Sequence, residues 1–91
     1  MKFELWVLEA LALHGRLSAT EILNLADDAG MRVSFGMIYV TMERYVERGY
    51  VIEEQEPGGP RRGGREKTYW RITKEGRDQA PAKAQGVPAL A

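Results

Sequence analysis

A loop that cannot form regular structure separates two segments typical of β-strands, and this arrangement constrains the fold most. Residues 57–66 read PGGPRRGGRE, and their prolines and glycines break both a helix and a strand ladder. Residues 50–56 precede this Gly/Arg loop, and the β-branched and aromatic residues of segment 67–73 follow it. We therefore predict a β-hairpin whose return strand places Trp70 and Ile72 on one side.

Two helices are predicted at the start of the chain. Residues 3–14 form a dense apolar run, which Gly15 can end in the left-handed conformation. Ser18 and Glu21 then have the spacing of a capping box, which opens a second helix. That helix ends at Gly30 and repeats apolar residues at i, i+3, i+4 and i+7: Ile22, Leu25, Ala26 and Ala29.

A third helix is predicted over residues 35–48, between the N-cap candidate Ser34 and Gly49. One face of it should pack in the core, because its apolar residues share a side: Ile38, Met42 and Tyr45. Four other side chains fall elsewhere and are expected to be exposed: Phe35, Tyr39, Val40 and Glu43. After the hairpin, Thr73 can cap a short last helix over residues 74–80.

This order of elements predicts an α+β fold, the winged helix-turn-helix. It would contain three helices, a two-stranded β-hairpin wing and a short C-terminal helix. Ninety-one residues suffice for one small domain. We assign this domain to residues 1–80 and expect a flexible C-terminal tail over residues 81–91, which begins at Pro81 and is rich in small residues.

Charge is separated along the chain although the formal net charge is +0. Residues 1–56 carry five basic side chains against ten acids, whereas residues 57–77 carry seven basic side chains against two acids. Binding to phosphates depends on a local basic patch and not on the total charge. The hairpin is therefore the expected cationic region, although a solvated charged loop is the alternative interpretation.

The sequence lacks the residues and motifs that disulfide-bonded proteins, metalloproteins, enzymes and membrane proteins need. There is no cysteine and a single histidine, so disulfides and thiolate metal sites are excluded and little remains for a histidine-based site. No catalytic triad or phosphate-binding P-loop is recognisable, so we predict neither an enzyme nor a bound cofactor or metal. No apolar run approaches the ~18 residues of a membrane span, and the start lacks a signal-peptide pattern, so we expect a cytoplasmic protein.

Several short motifs follow one another in the second half of the chain: IY at 38–39, ER at 43–44, GYV at 49–51, the Gly/Arg loop, KTYWRIT at 67–73 and GR at 76–77. This ordered set resembles the PadR family of bacterial transcriptional regulators. Members of that family have a serine-capped recognition helix, an Arg-rich wing and a Tyr-Tyr-Arg-Leu-Thr return strand. The resemblance extends over about residues 5–77.

The chain departs from the PadR pattern in three places. The family usually opens its second helix with Gly-Tyr-Glu, where this chain has Ala-Thr-Glu at 19–21. It usually has proline after the recognition-helix tyrosine, where this chain has Val40. Most members add long C-terminal dimerisation helices, which Pro81 and the small-residue tail do not favour. The first two departures affect which DNA sequence the protein would prefer. The third affects whether it forms the dimer that is usual in the family.

The resemblance implies a transcriptional regulator, a repressor by expectation, that binds double-stranded DNA at a near-palindromic operator as a homodimer. The third helix would enter the major groove, and the wing would touch the flanking backbone or minor groove. The residues assigned to DNA are Ser34, Phe35, Gly36, Tyr39, Val40, Arg44, Arg61, Arg62, Arg65 and Lys67. For Arg44, a phosphate contact and pairing with Glu43 or Glu47 on its own helix remain equal alternatives.

The first helix is apolar over more of its surface than one core-facing stripe requires, which suggests a subunit interface as well as a core. We assign this interface to Phe3, Trp6, Val7 and Ala10. Some PadR relatives sense planar aromatic molecules between subunits, so a small aromatic effector near Trp6 or Trp70 is conceivable, although we favour structural roles for both. The alternative function is a winged-helix protein–protein interaction module that does not bind DNA.

Overall fold

The structure, a computed structural model, describes residues 2–56 and 67–80. Within these residues the chain forms four helices and a three-stranded antiparallel sheet: α1 (Lys2–His14), β1 (Arg16–Ser18), α2 (Ala19–Asp28), α3 (Phe35–Glu47), β2 (Val51–Glu56), β3 (Lys67–Ile72) and α4 (Lys74–Gln79). The Gly/Arg loop and the predicted C-terminal tail lie outside the described residues.

The capping residues predicted for α1, α2 and α3 are confirmed, although α2 and α3 end at Asp28 and Glu47, slightly earlier than predicted. Gly15 ends α1 with a φ of 82°. The capping box at the start of α2 is complete, because the Glu21 backbone N–H donates to Ser18 Oγ over 3.1 Å and the Ser18 N–H donates to Glu21 Oε1 over 2.8 Å. At the start of α3 the Met37 N–H donates to Ser34 Oγ over 3.2 Å. Local sequence rules therefore place the helices along the chain.

The predicted hairpin is present as β2 and β3, but the sheet also contains a third strand, β1, that was not predicted. The strand order is β1-β3-β2, with Leu17 opposite Trp70 and Val51 opposite Ile72. β1 has only three residues and leads directly into the cap of α2, so it has no alternating pattern of its own. Its conformation depends on pairing with β3, which lies far away in the sequence.

The core lies between α1, α2, α3 and the inner face of the sheet. The largest fully buried side chains come from every layer: Val7, Leu11, Ile22, Ile38, Met42, Val51 and Trp70. Burial of Ile38, Met42 and Tyr45 confirms the predicted inner face of α3, and Trp70 and Ile72 are both buried as predicted. Because this face of α3 is buried, the residues on its opposite face are exposed to solvent.

Three of the residues assigned to the subunit interface pack within the chain. Phe3, Val7 and Ala10 are buried, so they offer little surface to a second subunit, and the interface stays a prediction. The exposed apolar residues of α1 are instead Leu5 and Leu13, and Trp6 is half-buried against the core.

Candidate nucleic-acid interface

The N-terminal half of α3 exposes three large apolar side chains. Phe35 is 45%, Tyr39 42% and Val40 54% exposed, because the opposite side of the helix is committed to the core. Gly36 lies among them and is exposed as well. Their predicted exposure is confirmed, whereas their contact with DNA stays a prediction.

Tyr39 is held against the return strand of the hairpin. Its ring meets the Trp70 ring edge-on, with 5.3 Å between centroids and 71° between planes. Trp70 is buried, and its Nε1 finds no hydrogen-bond acceptor in the described part of the chain. The strand that follows the Gly/Arg loop in the sequence therefore contacts the exposed end of α3 through this ring pair.

Arg44 pairs with a residue that neither sequence alternative included. Its Nη1 lies 3.0 Å from Glu4 Oε2 on α1, and its side chain remains 58% exposed, so the predicted pairing within α3 is wrong. The ion pair is solvated and of modest strength, so a phosphate can compete for the guanidinium. Beside it, the Tyr45 hydroxyl donates to the Glu4 carbonyl oxygen over 2.7 Å. These two contacts join the second half of α3 to α1.

Burial affects the chemistry of the Tyr45 contact. Desolvation, together with the nearby Glu4 carboxylate, raises the pKa of Tyr45 to about 12. The phenol therefore stays protonated at neutral pH and acts as a donor to the α1 backbone.

Two arginines on the outer face of the sheet form ion pairs with Glu54 of β2. Glu54 Oε1 lies 2.7 Å from Arg16 Nε, and its Oε2 lies 3.1 Å from Arg71 Nε. Hydrogen bonds from Arg71 and then Arg16 hold the pKa of Glu54 below its ordinary value. The Arg16 guanidinium also stacks over the Tyr69 ring at 3.9 Å from its centroid. The strands that lead to the loop therefore carry less bare negative charge than their sequence suggests.

Arg32 is a candidate DNA contact that the sequence analysis missed. It is exposed in the turn between α2 and α3 and makes no ion pair or hydrogen bond with the described residues. It stands two residues before Ser34, and this position beside the cap of the exposed helix was the available signal. Among the assigned residues, Lys67 is exposed at the start of β3, whereas Arg61, Arg62 and Arg65 lie outside the described residues.

A shallow apolar groove runs between α1 and α2. It has a volume of about 330 Å³ and is lined mainly by Trp6, Ala10, Leu13, Leu25 and Ala29. Trp70 is fully enclosed elsewhere in the core. Of the two tryptophans, only Trp6 therefore offers a surface to a small molecule.

Residues 2–56 and 67–80 contain neither a candidate membrane span nor a candidate metal site. None of the helices there combines the length and apolar character that crossing a membrane requires. In the same residues no cluster of His, Asp and Glu side chains is arranged to hold a metal ion.

Comparisons with known proteins identify a shared fold. No protein-family model matches the chain, and no curated protein matches it. Among solved structures, it is similar to the crystal structure of putative transcriptional regulator TA0346 from Thermoplasma acidophilum. The TM-score is 0.69 at 22% identity, over 97% of this chain and 84% of that chain. The likeness shows that the two proteins share an α+β fold.

Proposed function

We propose that this protein is a DNA-binding transcriptional regulator with α3 in the major groove and the Gly/Arg loop on the backbone or minor groove. The observation that carries the proposal is the exposed apolar end of α3, at Phe35, Tyr39 and Val40, packed beside the strand that leaves a cationic loop. A helix of this diameter fits the major groove of B-DNA. The fold shared with a protein described as a regulator supports it.

The finer proposal is a repressor of the PadR kind that binds a near-palindromic operator as a homodimer. A twofold dimer presents two copies of α3 to two half-sites, and the bound dimer blocks other proteins from the DNA that it covers. Because Phe3, Val7 and Ala10 are buried, we place the interface on the outer face of α1, at Leu5, Trp6 and Leu13. A small aromatic effector would occupy the neighbouring groove, whose volume suits a small ligand.

The DNA-binding proposal predicts measurable affinity for duplex DNA of any sequence. Fluorescence anisotropy with a labelled random duplex at about 50 mM salt should show binding at micromolar protein, because phosphate contacts supply most non-specific affinity. The same titration at about 200 mM salt is the control and should show much weaker binding. An absence of binding at low salt would contradict the proposal.

The dimer proposal predicts that charge on the outer face of α1 separates the subunits. The double variant Leu5→Glu, Leu13→Glu should be monomeric by light scattering at concentrations where the parent is a dimer, because it buries carboxylates in the interface. Both positions are exposed within the chain, so the fold should tolerate the change. Ile52→Glu, at an exposed apolar residue on β2, is the matched control. Equal masses for all three proteins would refute this interface.

A protein–protein interaction module is the second candidate function. It is favoured by the acidic residues Glu43 and Glu47, both exposed on α3, and by the ion pairs that occupy Arg16, Arg44 and Arg71. An apolar patch bordered by acids suits a basic protein partner better than a phosphate backbone. The low-salt titration separates the two functions, since only the regulator binds DNA.

A further inference from the structure

We propose that the exposed end of α3 recognises thymine through its 5-methyl group. The contact would be made by a methyl-reading surface, which consists of Phe35, Tyr39 and Val40 arranged around Gly36. The inference rests on the proposed DNA-binding function and names the base that the helix selects. It makes the preferred half-site one in which thymines face α3.

The side chains available on α3 limit the bases that it can read. Guanine is read in the major groove by Arg or Lys and adenine by Asn or Gln, each through paired hydrogen bonds. Residues 35–43 read FGMIYVTME and contain none of these four types. The nearest arginine on the helix, Arg44, is bound to Glu4. The large side chains exposed at the N-terminal half of α3 are instead apolar or aromatic, and the thymine methyl is the apolar group that the major groove presents.

Gly36 indicates that the surface is approached closely. Glycine weakens a helix relative to alanine. Among residues 2–56 and 67–80, a Cβ at Gly36 would meet only Ser34 Oγ at 3.8 Å, an ordinary contact, and its backbone is not in the left-handed region. The fold therefore gives no reason for glycine at this position. Close approach of the helix backbone to a base pair does give one, because a side chain there would hold the helix away.

The charges around the methyl-reading surface favour contact with DNA. They also determine which end of α3 lies nearer to the DNA. Arg32, which has no partner among the described residues, lies at the N-terminal end, where the helix dipole is also positive. Glu43 and Glu47 are exposed towards the C-terminal end. A polyanion therefore approaches α3 from its N-terminal end. In this orientation the apolar side chains reach the bases, while the acids stay away from the backbone.

Replacing thymine by uracil tests the inference, because uracil keeps every hydrogen-bonding group and lacks only the methyl. Duplexes that bind the full chain would be selected from a random pool, and each thymine of the tightest duplex would be replaced in turn. We expect affinity to fall about fourfold at each contacted thymine, the value of one buried methyl group. No loss at any thymine would overturn the inference, whereas failure to bind any duplex would overturn the proposed function instead.

A pair of valine variants assigns the contact to the helix. Val40→Ala should weaken binding to the thymine duplex about fourfold or more and should leave binding to the fully uracil-substituted duplex nearly unchanged. Val46→Ala, at an exposed valine further along α3, should change neither affinity. Both side chains are exposed, so both variants should fold. If uracil substitution lowered the affinity of the parent and of Val40→Ala by the same factor, Val40 would not be part of the methyl-reading surface.

A Gly36→Ala variant tests the close approach independently. It should melt at a higher temperature than the parent and yet bind the selected duplex at least tenfold more weakly. A substitution at a position with only a structural role is not expected to raise the melting temperature and weaken DNA binding at the same time. Unchanged affinity for the selected duplex would overturn the role of Gly36.

Discussion

Replacing Gly76 by alanine should cost about 3 kcal/mol of folding free energy, at the upper end of the range for overpacked sites. Gly76 is buried in the first turn of α4. An added Cβ there would overlap the carbonyl oxygen of Tyr50 and would lie 2.8 Å from Ile72 Cγ1. The Tyr50 carbonyl cannot easily move aside, because it accepts hydrogen bonds from the backbone N–H and the hydroxyl of Thr73 at 2.9 and 3.0 Å.

Thermal and urea unfolding followed by circular dichroism would measure this loss. For a domain of this size we expect the melting temperature to fall by more than about 10 °C. Gly36→Ala is the matched control, because it is the same change in a helix with open space beside it, and it should gain about 0.5–1 kcal/mol. A Gly76→Ala variant as stable as its parent would show that α4 can shift away from Tyr50.

The position of α4 matters for the interface because this helix fixes the start of the hairpin. Thr73 Oγ1 donates to the Gly49 carbonyl oxygen over 2.6 Å, at the end of α3. Arg77 Nη1 donates to the Ala12 carbonyl oxygen over 2.9 Å, on α1. The short helix therefore ties the end of the return strand to both long helices. Loss of these contacts should loosen the packing of β3 against α1 and the end of α3.

Local chemistry made much of this fold predictable from the sequence. Ser18 with Glu21, Ser34 and Gly15 mark helix ends through contacts with residues only three or four positions away. Exposure of Tyr39 and its neighbours followed from the apolar spacing on the other side of α3. Each of these features depends on a single turn of the chain, where sequence rules are strongest.

Several features that the sequence did not reveal depend on distant partners. β1 exists through pairing with β3, and Arg44 is bound by Glu4, 40 positions away. Gly76 is required by the Tyr50 carbonyl oxygen, which no spacing rule connects to it. On α1, apolar residues surround most of the helix, so periodicity could not separate the buried Val7 from the exposed Leu5.

The second large effect is expected from the Gly/Arg loop. Replacing Arg61, Arg62 and Arg65 together by alanine should weaken binding to every duplex by about a hundredfold at low salt. The slope of log affinity against log salt should also flatten by about 0.9 for each lost phosphate contact. Affinity should fall alike for all sequences, because contacts with phosphate position a protein and do not read bases. Anisotropy titrations of a random duplex at several salt concentrations would measure both quantities.

The described residues explain why this effect should depend on the loop. β2 and β3 stay paired as far as Glu56 and Lys67, so the ten residues between them emerge from the end of the hairpin. The carboxylate of Glu56 at that end lies 3.5 Å from the Tyr69 hydroxyl and 3.8 Å from Arg16 Nη2, which offsets its repulsion of a phosphate. The double variant Arg48→Ala, Lys74→Ala removes exposed cations from the C-terminal end of α3 and from α4. An equal loss of log affinity for each removed charge in that control would mean that net charge governs binding, whereas unchanged binding and slope in the triple variant would exclude the loop from the mechanism.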